Sequence, residues 1–105
     1  MQQYEIKFTL NNEQVTVPAI GIDADTLVRS AKSALERHPA IKKALGKIKL
    51  WGLKRMGVVA FARQVVDQHN RQTESKEPLP NTAQQFIDWA VRAGYATPVP
   101  VKVNE

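Results

Sequence analysis

Apolar and polar residues alternate near the start of the chain, which predicts a β-hairpin over residues 3–20. Every second residue is apolar from Tyr4 to Leu10 and again from Val15 to Ala19, the period of strands that bury one face. Asn11-Asn12 lies between them, and Asn tolerates the positive φ of a two-residue turn. The predicted apolar pairs are Phe8 with Val15, Ile6 with Val17 and Tyr4 with Ala19. Pro18 cannot donate to a strand ladder, so the second strand is expected to end there, at a sheet edge.

The pattern changes to a helical period over residues 24–94. Asp23 or Asp25 suits the N-cap of a first helix, because a carboxylate accepts hydrogen bonds from first-turn amides. The apolar stripe of this helix comprises Leu27, Val28, Ala31, Ala34 and Leu35, and the opposite side carries Arg29, Lys32, Ser33 and Glu36. His38-Pro39 is expected to end it, with Pro39 beginning a second helix.

Two interpretations compete for the segment after Pro39. Gly46 is either the C-cap of a helix that stops at Leu45, or an interior residue of a helix that reaches about Trp51. In the first case the alternation of residues 47–51 predicts a third strand. A further helix is predicted from Leu53 to about Asn70. Its apolar side would make it the central core helix. This side comprises Val58, Phe61, Ala62, Val65, Val66 and His69.

The last third of the chain predicts a loop, a helix and an extended segment. Residues 71–80 are polar with two prolines and favour a surface loop. Asn81 or Thr82 would cap the last helix and Gly94 would end it, with Trp89 and Arg92 pointing away from its stripe of Ala83, Phe86, Ile87 and Ala90. Residues 97–105 are either an edge strand beside the hairpin or a loose tail. The predicted fold is α+β in one domain over residues 1–105, a hairpin packed on three or four helices.

Positive charge is concentrated in one stretch of the chain. Residues 41–63 hold seven of the fifteen Lys and Arg residues and no acid, and since the whole chain carries +5, the remainder sums to −2. Solvent-facing helices usually mix charges to gain favourable pairs. The stretch therefore suggests a surface for an anionic partner, although a plain solvated face stays open. The candidate binding residues are Lys42, Lys43, Lys47, Lys49, Trp51, Lys54 and Arg55.

Neighbouring residues bear on the extent of this surface. Arg29, Lys32 and Arg37 of the first helix would extend it. Trp51 could stack on a base, but burial in the core is favoured, because a small core needs its aromatic residues. Membrane contact is not expected, since no apolar run is long enough to span a bilayer and the N-terminus lacks the features of a signal peptide. The expected location is the cytoplasm.

Motifs for catalysis, metals and cofactors are lacking, so we expect no enzyme. The chain has no cysteine and two histidines far apart, which is too little for a metal site. Asp23-Ala24-Asp25 resembles the start of a calcium loop, but Val28 and Ala34 stand where glycine and glutamate are required. Gly52 and Gly57 have the spacing of a phosphate loop, but the Lys-Ser/Thr pair is missing. These glycines fit a helix start and close helix packing better.

In general character the chain resembles small accessory proteins of bacteriophages and mobile elements, being short, basic and free of catalytic motifs. The first hypothesis is a protein that binds nucleic acid through phosphate contacts with little sequence specificity. The second is a modulator or inhibitor of a host DNA-processing enzyme, such as a nuclease, a helicase or a CRISPR-type defence complex. There the basic surface would dock on an acidic or DNA-binding groove. Alternative anchors would be an exposed Trp89, Tyr95 and the strand of residues 98–103. Strand edges at both chain ends would also permit a homodimer.

Overall fold

The chain folds as a three-stranded antiparallel sheet packed against helices, which confirms the α+β prediction. The structure is a computed structural model that describes residues 2–10 and 13–100, without the side chains at positions 10, 13, 42 and 44–50. In this part of the chain the elements are β1 (Gln2–Leu10), β2 (Glu13–Gly21), α1 (Ala24–Arg37), α2 (Pro39–Arg55), α3 (Val58–Thr73), α4 (Ala83–Ala93) and β3 (Ala96–Pro98).

The hairpin has the predicted register. Ile6 lies opposite Val17 and Phe8 opposite Val15, and these four side chains are buried in the core. The prediction that β2 ends at Pro18 is wrong, because the strand continues to Gly21. The sheet order β2-β1-β3 leaves one edge of β2 open, and an edge strand accommodates a residue without an N–H. The Asn11-Asn12 turn lies outside the described residues.

The segment after α4 forms the third strand, so the edge-strand alternative is confirmed for residues 96–98. Gly94 ends α4 with a φ of 86°, a conformation that glycine adopts without steric cost. The chain then turns back along β1. The backbone N–H of Lys7 donates to the Tyr95 carbonyl, and that of Val99 donates to the Gln3 carbonyl, both at 2.8 Å. Residues 101–105 lie outside the described part of the chain.

Helix α1 is the central helix of the fold. Its Leu27, Val28 and Ala31 are fully buried, and it packs on β2 and on each of the other three described helices. Asp23 is its N-cap, and the carboxylate accepts hydrogen bonds from the backbone N–H and the hydroxyl of Thr26, both at 2.9 Å. These bonds, the backbone one first, lower the pKa of Asp23 below its usual value.

Two predictions about α3 are wrong. We expected a central helix starting at Leu53, but α3 begins at Val58, after a break at Met56-Gly57 where both residues have extended backbone angles. Gly57 is the N-cap of α3, as a helix-start role requires, whereas a Cβ at Gly52 would meet no atom within 4 Å, which argues against close packing there. The predicted apolar side is correct, since Phe61, Ala62 and Val66 are buried.

Helix α2 runs without interruption from Pro39 to Arg55, so the strand alternative for residues 47–51 is wrong. His38 closes α1, since its backbone N–H donates to the Leu35 carbonyl, and opens α2, since its Nδ1 accepts a hydrogen bond of 3.1 Å from the Ala40 N–H. Ile41 is fully buried near the start of α2, and Leu53 packs partly against the core near its end. The helix is thus anchored at both ends, and its six cations are distributed along its length.

An aromatic cluster joins α3, α4 and the segment after α4. The ring of Trp89 lies 5.1 Å from that of His69 and 5.6 Å from that of Tyr95. His69 Nδ1 and the Tyr95 hydroxyl share a hydrogen bond of 2.9 Å. The predicted outward orientation of Trp89 is wrong, since the residue is only 5% exposed. Tyr95 reaches this ring because Gly94 reverses the chain, which the periodicity of α4 alone does not reveal.

Candidate nucleic-acid interface

The candidate surface is built on α2. This helix holds six of the basic residues and no acid over Pro39–Arg55. Positions 43, 47, 51 and 55 are four residues apart, so the helical backbone places them in one row along the helix. Lys42 and Lys49 are seven residues apart and belong to a different row. The side chains of Lys42, Lys47 and Lys49 lie outside the description, so the contacts below concern Lys43, Trp51, Lys54 and Arg55.

Trp51 lies on the surface, and the prediction that it joins the core is wrong. Its side chain is 60% exposed. The guanidinium carbon of Arg55 is 4.6 Å from the centre of the indole ring, which is a cation–π contact. Helical spacing explains the pair, because residues four apart lie over each other on a helix. The four-residue spacing of this pair is visible in the sequence, but we expected a tryptophan to be buried and therefore did not predict the contact.

The described cations of α2 take part in none of the described ion pairs. Over the described ranges the ion pairs are Arg29 with Asp25, Lys32 with Glu36, Arg71 with Asp67 and Arg92 with Glu77. Lys43, Lys54 and Arg55 are exposed, and none of them takes part in these pairs. The three described cations of α2 therefore have no ion-pair partner among the described residues, whereas each of the other three helices carries at least one paired cation.

Lys32 does not extend the surface, contrary to expectation. The residue is only 8% exposed, and its ammonium group donates to Glu36 Oε1 at 2.6 Å and to the Lys54 carbonyl at 3.3 Å. A cation at a helix C-terminus favourably meets the free carbonyls there. Lys32 thus links the C-terminal end of α2 to α1 by a hydrogen bond, and Arg29 forms an ion pair with Asp25. Of the three α1 cations, Arg37 alone is exposed and outside the ion pairs of the described residues.

Asp23, Asp25 and His69 have structural partners. Asp23 caps α1, Asp25 pairs with Arg29, and His69 bonds Tyr95. Within residues 2–10 and 13–100, no group of three or more His, Asp or Glu side chains is arranged to hold a metal ion. The helices described for these residues include none with the length and apolar character needed to cross a membrane.

Comparison with known proteins adds no functional information. No protein-family model matches the chain, and no curated protein or solved structure matches it. A function for the α2 surface therefore has to be argued from its own chemistry.

Proposed function

We propose that this protein is a non-enzymatic accessory protein that binds nucleic acid through the exposed face of α2. The observation that carries the proposal is the exposed Trp51 ring with the Arg55 guanidinium against it, on a helix with six cations and no acid. An aromatic face beside cations is the combination that single-stranded nucleic acid engages, by stacking and by phosphate contacts.

Free-energy considerations favour a partner over a plain solvated face. An exposed indole forgoes the stabilisation that burial of a large aromatic side chain brings. Like charges four residues apart on a helix destabilise it by roughly 0.2–0.5 kcal/mol per pair. Bound phosphates would relieve this repulsion, and a stacked base would cover the indole. The repulsion between the cations is small enough for the fold to tolerate, so a surface that binds a partner can keep them.

The proposed contacts divide into two kinds. Lys43, Lys54 and Arg55 would neutralise phosphates and release their counterions, which gives affinity without sequence discrimination. Trp51 would stack on an unpaired base, since a base inside a duplex does not offer its face. The protein should therefore bind duplexes and single strands, with an additional contribution from Trp51 in single strands.

The competing partner is a protein with an acidic or nucleic-acid-mimicking surface, such as a host DNA-processing enzyme. Trp and Arg are also common anchors of protein interfaces. Such a partner would use Trp51 and Arg55 of the same face, because Trp89 is buried and Tyr95 is half-buried. We favour nucleic acid because the cations spread along the helix suit a repeating phosphate backbone.

The test is fluorescence anisotropy of labelled single-stranded and duplex DNA and RNA, titrated with the protein at several salt concentrations. The triple variant Lys43→Ala, Lys54→Ala and Arg55→Ala should bind far more weakly. Its log–log salt slope on duplex DNA should be smaller by up to about 2.7, at roughly 0.9 per lost phosphate contact. Trp51→Ala should weaken single-strand binding about tenfold and duplex binding less, since one stacked base contributes about 1–3 kcal/mol.

A matched control removes the same charge elsewhere. Arg29→Ala, Arg71→Ala and Arg92→Ala together take away three exposed cations that have acidic partners. This variant should keep most of the affinity and the salt slope. If the two triple variants lost equal affinity, the binding would depend on the net charge of the protein and not on the α2 surface. Absence of salt-dependent binding to all four nucleic acids would refute the proposal and leave a protein partner as the better explanation of α2.

A further inference from the structure

The backbone of β1 alternates in direction along the strand, and this alternation shows which groups form the edges of the sheet. The Lys7 N–H donates to the Tyr95 carbonyl, and the Gln3 carbonyl accepts from the Val99 N–H. The odd-numbered residues of β1 therefore direct their backbone groups towards the third strand, and their antiparallel partners on β2 direct theirs away from β1. These outward-facing partners are Gln14, Thr16, Pro18 and Ile20.

The C-terminal half of the β2 edge offers no free N–H. Pro18 has none, and the Ile20 N–H donates to the Ser30 hydroxyl of α1 at 3.0 Å. Among the described residues of β2, the outward N–H groups that remain for another strand belong to Gln14 and Thr16. They cover a stretch of only three residues, although the strand is nine residues long.

The edge formed by β3 is closed in a similar way. Tyr95 and Val99 face β1, as their hydrogen bonds to it show. Alternation therefore places Ala96, Pro98 and Pro100 on the outer side. The two prolines have no N–H, and Ala96 is only 4% exposed. The outer side of residues 96–100 thus gives a partner strand no accessible donor.

We infer that four residues close both edges of this sheet to strand addition, namely Pro18 and Ser30 at β2 and Pro98 and Pro100 at β3. A strand edge with unpaired N–H and C=O groups is a template for another strand, and proteins block such edges with proline or by covering them. The direction of these prolines supports a blocking role. A proline that faced β1 would remove a hydrogen bond of the sheet, whereas an outward-facing one removes only a donor that a second strand would use.

This inference does not rest on the nucleic-acid proposal, because none of the four residues lies on α2. It bears on the protein-partner alternative, in which residues 98–103 would offer a strand to the partner. With Pro98 and Pro100 on the outer side, such a partner would have to dock elsewhere on the protein. A homodimer joined through strand edges is excluded for the same reason.

The test reopens each edge and measures the mass of the protein by size-exclusion chromatography with multi-angle light scattering over a range of concentrations. Pro18→Val with Ser30→Ala frees the row of N–H groups at β2, and Pro98→Val with Pro100→Val does so at β3. Valine suits a strand, so these variants should fold. The wild type should keep the monomer mass of 11.8 kDa, whereas each reopened variant should reach at least twice that mass as the concentration rises.

Matched variants connect the association to the edges. Pro78→Val with Ser33→Ala makes the same two changes at exposed positions outside the sheet and should remain monomeric. Thr16→Pro, added to the reopened β2 variant, blocks the same edge at another outward-facing position and should restore the monomer.

Amide hydrogen exchange tests the cover of β2 without relying on association. In the wild type, the Ile20 N–H should exchange more slowly than those of Gln14 and Thr16. Ser30→Ala alone should speed its exchange roughly fivefold, as expected for one lost hydrogen bond. The inference is overturned if the wild type is a dimer that Thr16→Pro dissociates, if the reopened variants stay monomeric, or if Ile20 exchanges as fast as Gln14 and Thr16.

Discussion

Helices α2 and α4 each carry one tryptophan, and the two residues have opposite environments. Trp89 is 5% exposed and packs against rings from three parts of the chain, whereas Trp51 is 60% exposed and touches the cation one turn away. The neighbours explain the difference. Trp89 lies beside Phe86, and His69 and Tyr95 cover it from outside the helix. Trp51 lies in a row of cationic positions, where burial would also desolvate charge.

The comparison separates two kinds of helix. Five of the eleven residues of α4 are buried, so its sequence is dominated by packing. Helix α2 is held near its ends by Ile41, Leu53 and the Lys32 contact, while its described side chains at Lys43, Trp51, Lys54 and Arg55 are exposed. An exposed aromatic residue on such a helix is more informative about binding than a buried one.

The largest expected effect is the contrast between Trp89→Ala and Trp51→Ala. Trp89→Ala should lower the free energy of unfolding by about 3–5 kcal/mol, because it removes a buried ring and enlarges a cavity. Trp51→Ala should change it by no more than about 0.5 kcal/mol, as at other surface sites. Urea denaturation at neutral pH measures both. Comparable losses would show that Trp51 is packed and would remove the basis of the binding proposal.

The next effect concerns the ion pair that ties α2 to α1. Lys32→Met should cost about 2 kcal/mol, because it leaves the Glu36 carboxylate poorly solvated and removes the bond to the Lys54 carbonyl. Adding Glu36→Leu should recover most of the loss, since a matched apolar pair no longer buries a charge. Urea denaturation of the single and double variants checks this. A double variant as unstable as the single one would mean that the carbonyl contact dominates.

A smaller effect is expected at the N-cap of α1. Asp23→Ala should destabilise the protein at neutral pH, because the cap bonds from Thr26 are lost. The folded-state pKa of Asp23 is lowered from 3.8, so the stabilisation is complete above that value and disappears as the pH falls through the lower folded pKa. Only the charge-dependent part of this stabilisation is lost, because the neutral carboxyl still presents a carbonyl oxygen, so the gap between wild type and Asp23→Ala should narrow on acidification. Asp23→Asn keeps a capping side chain without a charge, so its gap to Asp23→Ala should persist in acid.

The sequence predicted what depends on local pattern. The strand register, the Gly94 cap and the stripe of α4 follow from spacing alone, whereas spacing left two N-cap candidates for each of α1 and α4, of which Asp23 and Thr82 are the caps. Two of the errors, the end of β2 at Pro18 and the start of α3 at Leu53, concern element boundaries, and the others concern non-local packing. The burial of Lys32 needs the carbonyl of Lys54, and the burial of Trp89 needs His69 and Tyr95, none of which a helical window contains. Gly46 did not end α2, since an isolated glycine in a helix costs only about 1 kcal/mol.

The candidate surface could likewise be predicted only in part from the sequence. Charge density identified α2 as its location, and the four-residue spacing of Trp51 and Arg55 already implied their contact. The exposure of Trp51 depends on how other aromatic residues fill the core, and Phe61, Phe86 and Trp89 do so.

The smallest effect tests whether α2 retains repulsion that helps binding. Lys43→Glu turns a like-charge relation with position 47 into a favourable one, and should raise the free energy of unfolding by about 0.3–0.5 kcal/mol. The same change should weaken nucleic-acid binding more than Lys43→Ala, because it adds a negative charge to the phosphate-facing row. Lys76→Glu, an equal charge change at an exposed loop position, should alter neither property appreciably. Urea denaturation and anisotropy on the three variants separate the two properties. If Lys43→Glu left the free energy of unfolding unchanged or lowered it, the positive charge on α2 would not destabilise the helix. Helices α2 and α4 would then differ only in how deeply their tryptophans are buried.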